Sequence, residues 1–175
     1  ETGVTIMHMA EALDAGDIIL QGATPIDLNE SVEQLHDRLA VMGAELLSQA
    51  VTALTAGTAP RIPQDERQHT YAPMLSRDLS PIDWNRSALE IHNQIRGLVP
   101  WPATTMELNG TKFKVFASLV TGETENQPAG TVLGADKKGI RMVCGDGGVL
   151  CITEVQAPGK KRMKAVDYLR GHPIL

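Results

Sequence analysis

Residues 4–20 read VTIMHMAEALDAGDIIL, and the fold of the first part of the chain turns on this stretch. Val4–Met9 has the apolar, β-branched character of a short buried strand, Ile18–Leu20 opens a second, and Gly16 lets the chain turn between them. Asp14 is therefore expected on a turn between two strands. A carboxylate held there is fixed by the scaffold yet reaches the surface, a position suited to orienting a partner or exchanging a proton. An Asp before Ala-Gly is also ordinary turn chemistry, because its side chain bonds the backbone two residues on. The residues alone leave both readings open.

The chain has 175 residues, 42% of them hydrophobic, which allows one generous domain or two small ones, each with its own core. No apolar run approaches the roughly 20 residues that span a bilayer, and no basic start with an apolar middle marks a leader. A soluble intracellular protein is expected. The chain starts at Glu1 and enters a strand pattern at once, which reads as a cut inside a domain. Its two cysteines, Cys144 and Cys151, flank Gly145-Asp146-Gly147-Gly148. A four-residue hairpin loop there puts Val149 opposite Cys144 and Met142 opposite Cys151, so no disulfide is expected. The spacing gives no zinc site either, and no metal is expected. The net charge of −5 is unevenly spread: residues 1–60 hold nine acidic residues and one basic, residues 61–175 fifteen basic and twelve acidic. The later part is the one that can approach a polyanion.

Working outward, Ser31 and Gln34 form a capping box ahead of an apolar stripe at Val32, Leu35, Leu39, Met42, Leu46, Ala50 and Leu54, and Gly57 is placed to end that helix. The stripe is expected to pack on the two strands, with an acidic outer face in solvent. Pro60, Pro63, Pro73 and Pro81 make residues 58–81 an extended linker, which also carries Arg61, Arg67, His69 and Arg77. A second capping box, Ser87 and Glu90, opens a helix that buries Leu89, Ile91, Ile95 and Leu98 and stops at Pro100-Trp101-Pro102. Trp84 and Trp101 read as lid and floor of one small core in preference to a base-stacking platform.

Short strands follow, at residues 104–108 and 112–119 around the hairpin signal Asn109-Gly110, then 130–133, 139–143 and 149–155. Their number and spacing predict a small closed barrel of the oligonucleotide-binding type. A helix at residues 165–169 closes the chain near Gly171 and Pro173. Before it, Pro158-Gly159-Lys160-Lys161-Arg162-Met163-Lys164 crowds four cations onto a glycine loop, where a phosphate would relieve their repulsion.

Four strings, ETGVTIMHMAEALDAGDIIL, TYAPMLSRDLSPIDW, IRGLVPWPATTMELNG and QAPGKKRMKAVDYLRG, in this order and spacing, resemble the bacterial methionyl-tRNA formyltransferases over essentially the whole chain. The resemblance implies an α/β remnant of a Rossmann-like formyltransferase domain (1–57), a linker (58–81) and a mainly β C-terminal oligonucleotide-binding-like barrel (82–175). It implies formyl transfer from 10-formyltetrahydrofolate to the amino group of methionyl initiator tRNA. Asp14 falls on the family's catalytic aspartate, and Ala10, Glu11, Ala12 and Leu13 on the loop that lines its folate pocket.

The family's catalytic Asn and His belong upstream of residue 1, and His8 does not match that His, so the chain alone is expected to be inactive. Lys160, Lys161, Arg162 and Lys164 are expected to hold tRNA phosphates, with Lys112, Lys114 and Arg141 as weaker candidates. The full-length protein is expected to be a cytoplasmic monomer that binds no membrane. Related transferases acting on an amino sugar, folate dehydrogenase-type domains, or a non-catalytic binding module are the alternatives; the GKKRM loop favours the tRNA enzyme. Two departures from the pattern stand out. Met74 replaces a usual lysine, and Gly97-Leu98-Val99 replaces Ala-Phe-Asn.

Overall fold

The computed structural model describes residues 1–172, so Pro173 lies outside the described residues. The chain divides into two compact units, Glu1–Met74 and Leu75–Leu175.

In the first unit β1 (Thr2–Met7) and β2 (Ile18–Thr24) pair antiparallel, with Ile6 opposite Leu20. α1 (Val32–Thr55) packs on both strands, placing Met42 and Leu46 over Gly22. Its capping box is present: the Ser31 hydroxyl accepts from the Gln34 amide (3.4 Å) and the Gln34 side chain from the Ser31 amide (2.9 Å). At the other end the Gly57 amide donates to Leu54 O (3.1 Å) and the Thr58 amide to Ala53 O (2.9 Å), a paired closure that satisfies the last carbonyls. Arg38 grips the preceding turn with a two-pronged bond to Glu30 (3.0 and 2.8 Å) and a bond to Pro25 O (2.8 Å).

Five expectations for this unit change. The first strand ends at Met7, and residues 8–17 form a loop on which Met9 is 95% exposed. The strands are only partly buried, because a two-stranded sheet packed on one helix covers one face. Gly16 is required less as a turn than by crowding, since a Cβ there would lie 1.7 Å from His8 O. On α1 the covered stripe runs from Leu35 to Ala50, while Val32 and Leu54 at its ends are exposed. The outer face is not simply acidic: Val41, Leu47 and Val51 are also more than half exposed.

The second unit is built on α2 (Ala88–Gly97) and an antiparallel sheet of β3 (Thr104–Leu108), β4 (Thr111–Thr124), β5 (Val132–Ala135), β6 (Ile140–Val143) and β7 (Gly148–Gln156) in the order β3-β4-β7-β6-β5; β8 (Met163–Lys164) adds to β7, and α3 (Ala165–Leu169) follows. Three register shifts along the β4–β7 pairing bend the long strand, which curls the sheet. α2 packs on β4 and β7, and Ile91 and Ile95 join Val115, Met142, Leu150 and Ile152 in one core. The Asp146 carboxylate ties the helix to the β6–β7 turn, accepting from the Ala88 amide (3.2 Å) and the Gly148 amide (3.0 Å).

The Asn109-Gly110 hairpin has the expected two-residue form, with Leu108 opposite Thr111. The cysteine hairpin is one residue shorter than expected. Gly147 takes a φ of +75° and bonds back to Cys144 O (3.0 Å), leaving a three-residue loop, so Val143 faces Val149 and Arg141 faces Cys151. Both thiols remain free and buried.

The sheet is a half-barrel rather than a closed one: β3 and β5 are its ends, and no ladder joins them among the described residues. The outer edge of β3 is taken by the segment before α2, where the Ile82 amide donates to Thr105 O (3.0 Å) and the Thr105 amide to Ser80 O (2.7 Å). That irregular segment occupies the edge in place of a closing strand, and because its bonds to Thr105 come from Ser80 and Ile82 on either side of Pro81, the proline sits there without losing a bond to β3. The tryptophans also separate: Trp84 packs on the core beside Gly130, whereas Trp101 is 52% exposed. Leu89 is on the exposed side of α2.

Candidate functional site

Asp14 sits at φ 55°, a left-handed conformation that a short polar side chain tolerates. Ala10, Glu11, Ala12 and Leu13 beside it are all exposed. The Asp14 carboxylate has no hydrogen-bond partner among the described residues, so the loop is not held by the self-bonded turn that its sequence suggests. Residues 60–64 hold it instead. The Gln64 side-chain amide donates to Asp14 O (2.8 Å) and Gly16 O (2.7 Å). Ile18 and Ile62 exchange both backbone bonds (2.8 and 3.1 Å), and Arg61 pairs with Asp17 (3.4 Å). His8, which sequence sets aside as a catalytic candidate, donates to Pro60 O (3.2 Å).

The second cluster lies on the curled sheet. Alternation along β4 sends Phe113 and Val115 into the core and Lys112 and Lys114 to the opposite, exposed face. Lys114 is opposite Gln156 on β7, whose side chain donates to Lys160 O (2.8 Å), and Lys164 on β8 is opposite Glu154. Strand pairing thus draws the Gly159–Lys164 loop to the two lysines of β4. Beside them lies a groove of about 580 Å³ lined by Arg77, Trp101, Lys112, Lys114, Gln156 and Gly159, among others.

The seven expected cations divide. Lys112, Lys114, Lys160, Lys161 and Lys164 form no ion pair among the described residues, and neither does Arg77. Arg162 pairs with Glu154 (2.6 Å) and lies 4.6 Å over the Phe116 ring, so its charge is already engaged. Arg141, on β6, pairs with Glu123 and does not line the groove. Sequence reasoning missed Gln64, which carries no local signal; it reads Arg77 as one of several linker cations able to touch a polyanion, and it prefers a core role for Trp101 over a base-stacking one because apolar surface is usually buried.

The cysteines offer no nucleophile. Burial, with the nearby Asp146 charge, pushes the Cys144 thiol up to about 11, and burial raises Cys151 as well, so both stay protonated near neutrality. Among the described residues no group of three His, Cys, Asp or Glu side chains could hold a metal ion.

Comparison with known proteins gives this geometry a lineage. Residues 74–173 match the family model for the formyl transferase C-terminal domain, and residues 1–51 match that for formyl transferase. The methionyl-tRNA formyltransferase of Bacillus velezensis is 48% identical over 175 residues, covering 99% of this chain and 55% of the relative. That of Bacillus subtilis is 44% identical, covering 98% and 54%. The chain thus spans about half the length of these relatives.

Among solved structures, HypX from Aquifex aeolicus in complex with tetrahydrofolic acid superposes with a TM-score of 0.72 at 19% identity, covering 95% of this chain and 29% of that one. An N-formyltransferase from Helicobacter canadensis, crystallised with folinic acid and dTDP-3-aminofucose, gives 0.68 at 22% identity, covering 89% and 55%. At these identities the structures speak for the fold alone. With its C-terminal match extending over more than half of its residues, the chain belongs to the formyl transferase family.

Proposed function

We propose that this chain works as part of a methionyl-tRNA formyltransferase, which moves a formyl group from 10-formyltetrahydrofolate to the amino group of methionine on initiator tRNA. The observation that carries the reading is the gathering of unpaired lysines, 112, 114, 160, 161 and 164, on one side of the half-barrel. Cations without acidic partners repel one another, and phosphates relieve that repulsion while releasing counterions. Phosphate contacts fix orientation without reading sequence, so this surface positions the tRNA rather than selecting it. In this reading residues 1–57 are the closing part of a Rossmann-like domain, 58–81 a linker and 82–175 an oligonucleotide-binding-like barrel.

Ala10–Leu13 fit one wall of a folate site, because their exposed backbone and the 96% exposed Leu13 side chain leave polar and apolar surface uncovered. The bound donor supplies the activated formyl group. Asp14, its carboxylate free of hydrogen bonds, accepts the proton that the attacking amine gives up, directly or through a neighbouring imidazole. A carboxylate supplies no donor for an oxyanion. That role requires the Asn and His of the family pattern, for which this chain has no matching residues, and the chain alone is expected to be inactive. The full-length enzyme is read as a cytoplasmic monomer. No helix among the described residues is long and apolar enough to cross a membrane.

Binding of initiator tRNA to this chain at a series of salt concentrations tests the reading. Affinity should fall with salt at a log–log slope of roughly 0.7–0.9 per neutralised phosphate. Replacing the five lysines with alanine should remove most of that slope. Salt-insensitive binding, or a slope unchanged by the replacement, overturns it.

A further inference from the structure

The groove beside Trp101 has a composition unlike the rest of the chain. The protein is acidic overall, yet the groove is lined by Arg77, Lys112 and Lys114 and by no carboxylate. None of the three cations has an ion-pair partner among the described residues. One wall is the Trp101 side chain, half exposed and set between Pro100 and Pro102, whose rings limit backbone freedom. The Pro158-Gly159 turn also lines the groove, and nothing lies within 4 Å of a Cβ added at Gly159, so the groove is open there. Phe113 and Ala157, both buried, also contribute to the lining.

An exposed indole beside three cations that form no ion pair among the described residues matches one chemical unit, an aromatic base on a phosphate backbone. Pockets of roughly 300–1,000 Å³ hold small organic ligands, and at about 580 Å³ the groove has room for a nucleotide. A duplex cannot use it, because its bases are covered by their neighbours in the stack. The unpaired lysines 160, 161 and 164 follow on from the Gly159 rim, which suits a continuing strand better than a free mononucleotide.

We infer that this groove seats an unpaired nucleotide of the bound RNA, its base stacked on Trp101 and its adjoining phosphates held by Arg77, Lys112 and Lys114. The inference rests on the tRNA reading above and adds a demand that phosphate contacts alone do not make: the RNA must present an unstacked base at this place.

The test uses the whole chain with three probes: fluorescent hexauridylate, a blunt-ended two-stranded RNA duplex and initiator tRNA. Base–aromatic stacking is worth roughly 1–3 kcal/mol, so Trp101→Leu should weaken hexauridylate binding about 5- to 150-fold, while Trp101→Phe, which keeps a ring, retains most of it. Affinity for the duplex should change less than twofold in either variant. In chain labelled with 5-fluorotryptophan, the Trp101 resonance, assigned by its loss in Trp101→Phe, should shift on saturation with hexauridylate while the Trp84 line stays.

Equal hexauridylate affinity for Trp101→Leu and the parent chain, or a Trp101 line that does not move, overturns the inference even if tRNA binds. If hexauridylate shifts the Trp101 line and initiator tRNA fails to bind, the groove assignment stands and the tRNA reading falls.

Discussion

Replacing Gln64 with alanine removes one side-chain amide that serves two carbonyls, Asp14 O at 2.8 Å and Gly16 O at 2.7 Å. A hydrogen bond contributes about 0.5–1.5 kcal/mol net. Asp14 lies at the surface, so its carbonyl regains water when the side chain is gone and the loss sits in the lower half of the combined range, about 1–2 kcal/mol. That free energy acts locally, on the opening of residues 60–64 from the Asp14 loop. The reporters are the Ile18 and Ile62 amides, which bond to each other's carbonyls across that junction. Their hydrogen-exchange protection, read by NMR, should fall roughly five- to thirtyfold, while amides of β7 in the second unit stay unchanged. Gln64→Glu should be worse than alanine at neutral pH, because it turns a carboxylate toward two carbonyl oxygens. Unchanged protection at Ile18 and Ile62 in the alanine variant, or a Glu variant as well protected as the parent chain, refutes the view that Gln64 shapes the loop.

Ile91 is fully buried between α2 and the sheet, so Ile91→Ala should cost about 2–5 kcal/mol in urea unfolding, whereas Leu47→Ala, at a residue 53% exposed on α1, should change stability by less than about 1 kcal/mol; equal losses would contradict the assignment of the core. The Glu90 carboxyl is held below its ordinary value of 4.5, first by the Ser87 hydroxyl and then by the Ser87 amide and Arg86. Its contribution is therefore fully present above about pH 4.5 and is lost as pH falls through the lowered folded value. The Glu90→Gln variant should show a shallower loss of thermal stability between about pH 5 and pH 3, and an acid limb identical to the parent's would count against the capping box as a charged contact. Arg141→Ala should leave the salt slope of RNA binding unchanged, since Arg141 is paired with Glu123 and lies off the groove; a drop as large as that from a single lysine replacement would enlarge the binding surface.

Local chemistry was legible in the sequence because it depends on neighbours a few residues apart. Both capping boxes, the Gly57 helix end, the Asn109-Gly110 hairpin and the Ala165–Leu169 helix are each specified within five residues or so, and all are present as read. The charge imbalance, the clustered cations before α3 and the four family strings were equally visible. Failures of the local reading came where two segments distant in sequence compete for the same space. Gly16 looked like a turn residue and is dictated by the His8 carbonyl; Leu54 and Val32 fit the helical period and lie beyond the strands that could cover them.

Tertiary structure alone decided which charges are available and what holds Asp14. Arg162 and Arg141 are indistinguishable from their lysine neighbours in sequence, and only strand register brings Glu154 and Glu123 to them. The half-barrel is bounded at β3 by the segment around Pro81, which takes that edge in place of a closing strand and turns an expected barrel into a curled sheet. Trp101 ends up half exposed beside Lys112 and Lys114 because the turn after α2 is placed at the rim of that sheet, and no periodicity encodes that placement. Gln64 reaches Asp14 and Gly16 across about fifty residues of intervening chain, and this packing turns a linker-like segment into a support for the candidate catalytic carboxylate.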